Sequence, residues 1–227
     1  MSPMHEFRSI GDAWVFLVST LVRDGTPMGS EGLELLGVSV AFSAAPDRDP
    51  ILERFGDSRM IADMRHVFFG GSIGALNHNY AALMRGPGGR NDFEDIIALL
   101  RAEPWSKRAV LTICGEGDGK VPCVNTVQFL LRDNLRTIYF ARGQDAFRKF
   151  YADALCVADM ARRVASGLGA ANGNITGFIG SCHMYHEDRP SVDRLLHETK
   201  DSVHWRDGRT PCAVQQPSTR VPGKGGV

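Results

Sequence analysis

Apolar residues recur along this chain with two different periods, and the alternation between them outlines its elements. Ala13 to Val22 places Trp14, Leu17, Val18, Leu21 and Val22 at helical spacing and stops at Asp24-Gly25, which predicts a first helix. Leu35 to Phe42 reads as a strand carrying Val38 and Val40, with a stop at Pro46-Asp47. Ile51 to Phe69 returns to the helical period through Met60, Ile61, Met64, Val67 and Phe68 and ends at Gly70-Gly71. After the loop Gly86-Pro87-Gly88-Gly89, Asp92 is placed to cap a helix from Phe93 to Ala102, and Pro104 closes it. Ala109 to Cys114 is a short apolar strand, followed by a turn at Gly115 to Gly119. Thr126 to Leu131 and Arg136 to Ala141 then form a hairpin about Asp133-Asn134. Ala152 to Leu168 is a helix with Ala154, Leu155, Ala158, Ala161 and Val164 towards the core, and Ile175 to Ile179 is a further buried strand.

Strands and helices mix here without regular βαβ alternation and without an internal repeat. The expected class is therefore α+β, one domain with a mixed sheet packed by helices. That domain spans residues 1–209. The tail 210–227, with three prolines and three glycines, has little to bury and is expected to be mobile.

Composition narrows the choice of partners. The 227 residues include 26 basic and 26 acidic ones, a balance that gives no footprint for nucleic acid or an anionic membrane surface. A small ligand is the expected partner. No apolar run reaches the length of a transmembrane span and the start has no signal-like core, so a cytoplasmic location is expected. Cys114, Cys123, Cys156, Cys182 and Cys212 are an odd set with no C-x-x-C, which points to reduced thiols and to no metal site.

The chemistry concentrates between Val121 and Tyr185. Cys123 follows Pro122 between a turn and a strand, a position where a thiolate meets a ligand, although a lone cysteine is more often a packed core residue. Arg142 and Asp145 form Arg-x-x-Asp at the end of the hairpin. His183 and Tyr185, two residues apart at a strand end, project from one face. Thiol, guanidinium, carboxylate, imidazole and phenol are the parts of a site that adds a nucleophile to a phosphorylated heterocycle. With Pro122-Cys123, Gln128-Phe129, Arg142-x-x-Asp145 and His183-x-Tyr185 in this order, the chain resembles the thymidylate synthase and pyrimidine-nucleotide hydroxymethylase family.

The resemblance runs well from Pro104 to Tyr185 and loosely through the first quarter. It implies a thymidylate synthase-like fold and folate-dependent one-carbon transfer to C5 of a pyrimidine nucleoside monophosphate, with 5,10-methylenetetrahydrofolate as cofactor. Cys123 would be the nucleophile that adds to C6, and Asp63 the general base, in place of the family's glutamate. Arg142 would bind the phosphate through its planar fork. Lys107 and Arg108 would reach the same phosphate from a second subunit, making the enzyme a homodimer with shared sites. His183 and Tyr185 would hold the sugar, while Gln128 and Asp145 would frame the nucleotide and the pterin.

Departures from the family pattern carry the finer expectation. Asp153 stands where thymidylate synthases have an asparagine that pairs with uracil. A carboxyl group accepts from the cytosine amino group and, when protonated, donates to N3. Its alternative is an acid complementing a helix dipole. Lys120 occupies the place of an apolar leucine beside the exocyclic methylene, and a lysine there would favour hydration of that carbon; its alternative is a solubilising turn residue. Val124 and Ser181 replace the histidine and the aspartate common in the family, and no match to the closing C-terminal segment is recognisable in Pro211 to Val227. Asp153 and Lys120 favour a cytidylate (CMP or dCMP) 5-hydroxymethylase, whereas the other departures weaken the case for ordinary thymidylate synthase or for activity at all. Methylation of dUMP or UMP is the alternative within the family, and a non-catalytic nucleotide-binding homologue the alternative outside it.

Overall fold

The computed structural model describes residues 5–43, 48–70, 80–84, 92–113 and 121–200. Its first helix, α1 (Ile10–Asp24), begins where the Ser9 hydroxyl accepts the Asp12 N–H, and it buries Trp14, Leu17, Val18 and Leu21. Short β1 (His5–Phe7) precedes it; β2 (Thr26–Met28) and the long β3 (Gly32–Ser43) follow.

The apolar period from Ile51 to Phe69 predicts one helix, but the chain forms two. α2 (Pro50–Phe55) ends as Gly56 turns to extended backbone, with φ −68° and ψ 139°. α3 (Ser58–Phe69) restarts at once, because the Asp57 carboxylate accepts the N–H groups of Arg59 and Met60. α4 (Tyr80–Leu83) and α5 (Asp92–Ala102) come next, then β4 (Val110–Thr112) and the hairpin of β5 (Val124–Leu131) with β6 (Leu135–Asp145). α6 (Phe150–Leu168) ends at Gly169, whose φ of 66° supplies the left-handed cap, and leads into β7 (Asn172–Tyr185). β6 runs four residues beyond the expected Ala141, and β7 runs well past Ile179. A helix that the apolar pattern does not announce, α7 (Arg189–Thr199), follows with Pro190 in its first turn. The tail 210–227 lies outside the described residues.

The strands make one mixed sheet in the order β1-β3-β7-β6-β5-β4, with β2 also paired to β3. β6 and β7 are parallel neighbours joined through α6, β1 and β3 are parallel neighbours joined through α1 and β2, and the other pairings are antiparallel. α6 is the central helix: it packs against α1, α3 and α5 and buries residues from Phe150 to Ala165. The fold is thus α+β, with helices over one face of a mixed sheet. Large apolar side chains stand exposed elsewhere on the strands, Phe140 at 44%, Phe178 at 46% and Leu36 at 74%.

Along β6 burial alternates up to Arg142, and then Gly143, Gln144 and Asp145 are all buried. There the strand is still paired with β7, Gly143 with Ser181, Gln144 with Cys182 and Asp145 with His183, but is buried on both faces. Three side chains at that end of β6 and the start of α6 decide what the adjoining cleft contains.

Candidate active site

Cys123 sits immediately before β5 and its main chain is held from two sides. Its N–H donates to the Tyr80 hydroxyl at 3.1 Å, with the Val124 N–H sharing the same oxygen at 3.4 Å. Its carbonyl accepts the Arg142 N–H at 2.9 Å. Tyr80 is itself fixed by stacking on Phe68 of α3, with ring centroids 4.0 Å apart. The thiol is therefore half-buried rather than exposed at a strand edge. Burial pushes its pKa up, with the Asp153 carboxylate adding to the rise; Arg142 and Lys149 pull it back, and Asp145 pushes up again. Cys156 and Cys182 are fully buried, and burial pushes the Cys182 thiol up to about 12, so neither is a nucleophile at neutral pH.

The end of β6 and the turn into α6 supply most of the remaining groups. Asp145 is buried, and its Oδ1 accepts the N–H groups of Phe147 and Arg148 at 3.2 and 2.9 Å. Burial raises its pKa against those bonds. The Ala146 N–H donates to the His183 carbonyl at 2.8 Å, which fixes the turn to the end of β7. Arg148 donates to Asp188 at 2.9 Å and to Glu187 at 2.5 Å, and lies over the Tyr185 ring at 5.6 Å. His183 and Tyr185 meet edge to face, their centroids 5.6 Å apart.

Below this turn, Asp153 in the first turn of α6 is only 2% exposed and Gln144 only 1%. The Gln144 Nε2 donates to Asp153 Oδ2 at 2.8 Å. Asp153 Oδ1 and Gln144 Oε1 are buried with no hydrogen-bond partner. Burial raises the Asp153 pKa to about 6 against the Gln144 bond and the charge of Lys149, and Asp145 adds to the rise. An acid of this strength is placed to exchange a proton near neutral pH.

These groups surround a cleft of about 400 Å³. β6 and its turn give it Gln144, Asp145, Arg148 and Lys149; β7 and the following turn give His183, Tyr185 and Glu187; Cys123 completes the lining. Of the residues singled out in the sequence, Cys123, Asp145, His183 and Tyr185 line the cleft, and Asp153 is bonded to one of its walls. The others stand apart from that lining. Arg142 is exposed and spends Nε and Nη2 on the Val121 carbonyl at 3.0 and 2.7 Å, beside the Cys123 main chain. Gln128 lies on β5, its Nε2 donating to the Lys107 carbonyl at 2.8 Å. Lys107 and Arg108 are exposed just before β4, the last strand of the sheet, and Arg108 pairs with Glu103 at 2.7 Å. Asp63 is exposed on α3. Lys120 lies outside the described residues.

Sequence reasoning did not single out Gln144, Arg148, Lys149, Glu187 or the Tyr80 clamp. Their signal is the burial of a strand end against a helix start, which no period reveals. Among the described residues no group of three or more His, Cys, Asp or Glu side chains is arranged to hold a metal ion, and no helix is long and apolar enough to cross a membrane.

Comparison with known proteins adds two findings. A family model described as "Thymidylate synthase" matches residues 59–205, a span that contains every cleft residue named above. A protein of Methanocaldococcus jannaschii described as "Putative thymidylate synthase" is 29% identical over 106 residues, covering 42% of this chain and 47% of that protein. The match to this curated relative therefore spans about half of its length.

Proposed function

The chain belongs to the thymidylate synthase family, and we propose that it transfers a one-carbon unit to C5 of a cytidine nucleoside monophosphate, leaving a hydroxymethyl group. The buried carboxyl of Asp153, held by Gln144 beside the cleft that contains Cys123, is the observation that carries this reading.

When the Cys123 thiolate adds to C6 of a pyrimidine, a bond forms from sulfur to C6 and the displaced pair moves towards the substituent at C4. In cytosine that pair arrives at N3; in uracil it arrives at O4. A group that hands a proton to N3 therefore favours cytosine. Asp153, with its pKa near 6, holds such a proton at small cost, whereas an ordinary carboxylic acid does not. The same protonation removes one of the negative charges that raise the Cys123 pKa, so the acid form of Asp153 also eases formation of the nucleophile. The C5 carbon then acts as the second nucleophile and later loses its hydrogen to solvent. Asp63 is the proposed base for that loss, and Arg142 with Lys107 and Arg108 the proposed phosphate ligands. His183 and Tyr185, which line the cleft, are the proposed sugar contacts, and Gln128 is proposed to frame the nucleotide.

The carboxylate of Asp145 suits the paired N–H donors of a pterin: it lines the cleft, and backbone N–H groups fix its orientation. When bound, 5,10-methylenetetrahydrofolate supplies the carbon at the oxidation level of formaldehyde. The proposed balance is cytidylate, methylenetetrahydrofolate and water giving 5-hydroxymethylcytidylate and tetrahydrofolate. Water as the final donor to that carbon rests on Lys120, by the sequence argument above.

A homodimer with shared sites is part of the proposal. It is supported by the exposed Phe140, Phe178 and Leu36 on the strands, which need cover, and by the distance in the sheet order between β4, where Lys107 and Arg108 stand, and the β6–β7 end of the cleft. The test is release of tritium from C5 of labelled CMP, dCMP, UMP and dUMP with methylenetetrahydrofolate, followed by product analysis. Release from a cytosine nucleotide with a hydroxymethyl product is the expected result. Release from a uracil nucleotide with a methyl product would establish the methylation reading instead, and nucleotide binding with no release from any of the four would leave a binding protein.

A further inference from the structure

We propose that Gln144 is a second base-reading residue, whose Oε1 accepts the exocyclic amino group of cytosine while its Nε2 directs the proton of Asp153 to Oδ1. The inference rests on the cytidylate reading and extends it to a residue that the reading does not require.

The geometry is specific. Gln144 lines the cleft and its amide lies against the Asp153 carboxyl at 2.8 Å. An ionised carboxyl offers only acceptors, so the amide must present its N–H to Asp153 and its carbonyl must face away. Because the N–H occupies Oδ2, a proton taken up by Asp153 has Oδ1 as its seat. The pair then offers a donor at Oδ1 next to an acceptor at Gln144 Oε1, and both atoms are buried without partners in the protein. Cytosine presents the complementary acceptor at N3 and donor at the 4-amino group. A buried polar atom without a partner carries a desolvation cost, and a ligand that supplies both bonds at once relieves it twice. Uracil, with N–H at position 3 and oxygen at position 4, meets neither atom correctly in this orientation.

Gln144 also acts on Asp153 itself. Its hydrogen bond lowers the acid's pKa, as does Lys149, while burial and Asp145 raise it; Cys123, Tyr80 and Tyr139 share the same electrostatic surroundings. Removal of the amide therefore moves the Asp153 titration upward.

The experiment measures dissociation constants for cytidine 5′-monophosphate and for the 2-pyrimidinone nucleotide that lacks only the 4-amino group. Wild type is compared with Gln144→Met, which keeps bulk and removes both polar atoms, and Gln144→Glu, which keeps an acceptor. Wild type should prefer cytidylate by roughly tenfold or more, the scale of one mismatched buried hydrogen bond. Gln144→Met should bind the two nucleotides equally, and Gln144→Glu should keep the preference. In Gln144→Met the limb of the cytidylate kcat/KM profile that reports Asp153 should move to higher pH, which a packing role would not cause. Three results overturn the proposal: no preference in wild type, a preserved preference in folded Gln144→Met, or an equal loss in the Glu and Met variants. Wild-type protein that turns over cytidylate while ignoring the 4-amino group loses only the role of Gln144. Wild-type protein that shows no choice between cytidylate and uridylate loses the parent reading as well.

Discussion

Asp153→Asn is the substitution on which substrate choice turns. Asparagine keeps the shape of the side chain, but it neither ionises nor gives up a proton, and without a charge it no longer fixes which way the Gln144 amide turns. In the wild type the rise from 3.8 to about 6 corresponds to roughly 3 kcal/mol held against ionisation of a carboxyl that is 2% exposed. A positioned general acid contributes about 10²- to 10⁴-fold to a rate, so kcat/KM for cytidylate should fall by that range. Uridylate does not use that proton, and an amide at this position accepts from N3–H and donates to O4. The ratio of kcat/KM for the two bases, measured by tritium release at matched sugar and phosphate, should shift towards uridylate by at least about a hundredfold. Stability gives an independent readout. The folded protein binds the Asp153 proton more tightly than the unfolded chain, so the contribution of this group falls as pH rises from about 4 through about 6. Above that window the wild type carries the full cost of a buried charge and the variant does not. Asp153→Asn should therefore be more stable than wild type at pH 7 to 8 by up to about 2–3 kcal/mol, with the advantage gone below about pH 4. An unchanged base ratio together with a stability difference that ignores pH would make Asp153 a neutral, structural helix residue.

Three further outcomes test other parts of the argument. Cys123→Ala should abolish C5-hydrogen exchange while calorimetry finds nucleotide affinity largely kept, since phosphate and sugar contacts supply ground-state binding; exchange that persists removes Cys123 as nucleophile. A Lys107→Ala, Arg108→Ala subunit mixed with a Cys123→Ala subunit should recover turnover if phosphate ligands cross the interface, and stable mixed dimers without turnover would count against shared sites. Gly177→Ala should lower stability by about 1–3 kcal/mol in urea unfolding, because its Cβ would lie 2.5 Å from the ring and hydroxyl of the buried Tyr139 across the β6–β7 pair; a variant as stable as wild type would mean that the ring gives way freely.

The framework of the molecule is legible in the sequence where one residue type decides the local outcome. The β5–β6 hairpin follows from strand-forming runs on either side of Asp133-Asn134, but the alternating burial of β6, with Thr137 buried and Phe140 exposed, is not an alternation of apolar and polar residues. The break between α2 and α3 is written in Gly56-Asp57, but a reading by apolar period passes over it, since the periodic residues Met60, Ile61, Met64, Val67 and Phe68 all lie in α3 and do not test the segment before it. α7 buries only Val192, Leu195 and Thr199, too few to make a pattern in a charged stretch. Strand ends are harder still: from Gly143 to Asp145 every residue is buried although the strand is still paired with β7, so period-two reasoning stops before the chemistry begins.

The candidate site divides in the same way. Cys123, Asp145, His183 and Tyr185 meet in one cleft, and each occupies a sequence landmark whose order along the chain is enough to suggest their meeting. Asp153 could be singled out because a carboxylate in the first turn of an apolar helix, where an amide was expected, changes the hydrogen-bonding pattern offered to a base. Gln144 could not, because nothing in its sequence position says that its amide turns back nine residues later onto that carboxylate. Yet the two belong to one chemical unit. A carboxylate alone accepts from any neighbouring N–H, and an amide alone rotates to suit either base; only when the charge of one fixes the orientation of the other does the pair present a single pattern. Selectivity read from Asp153 by itself would therefore be incomplete, and the burial that raises its pKa is also what keeps water from scrambling the orientation of its partner.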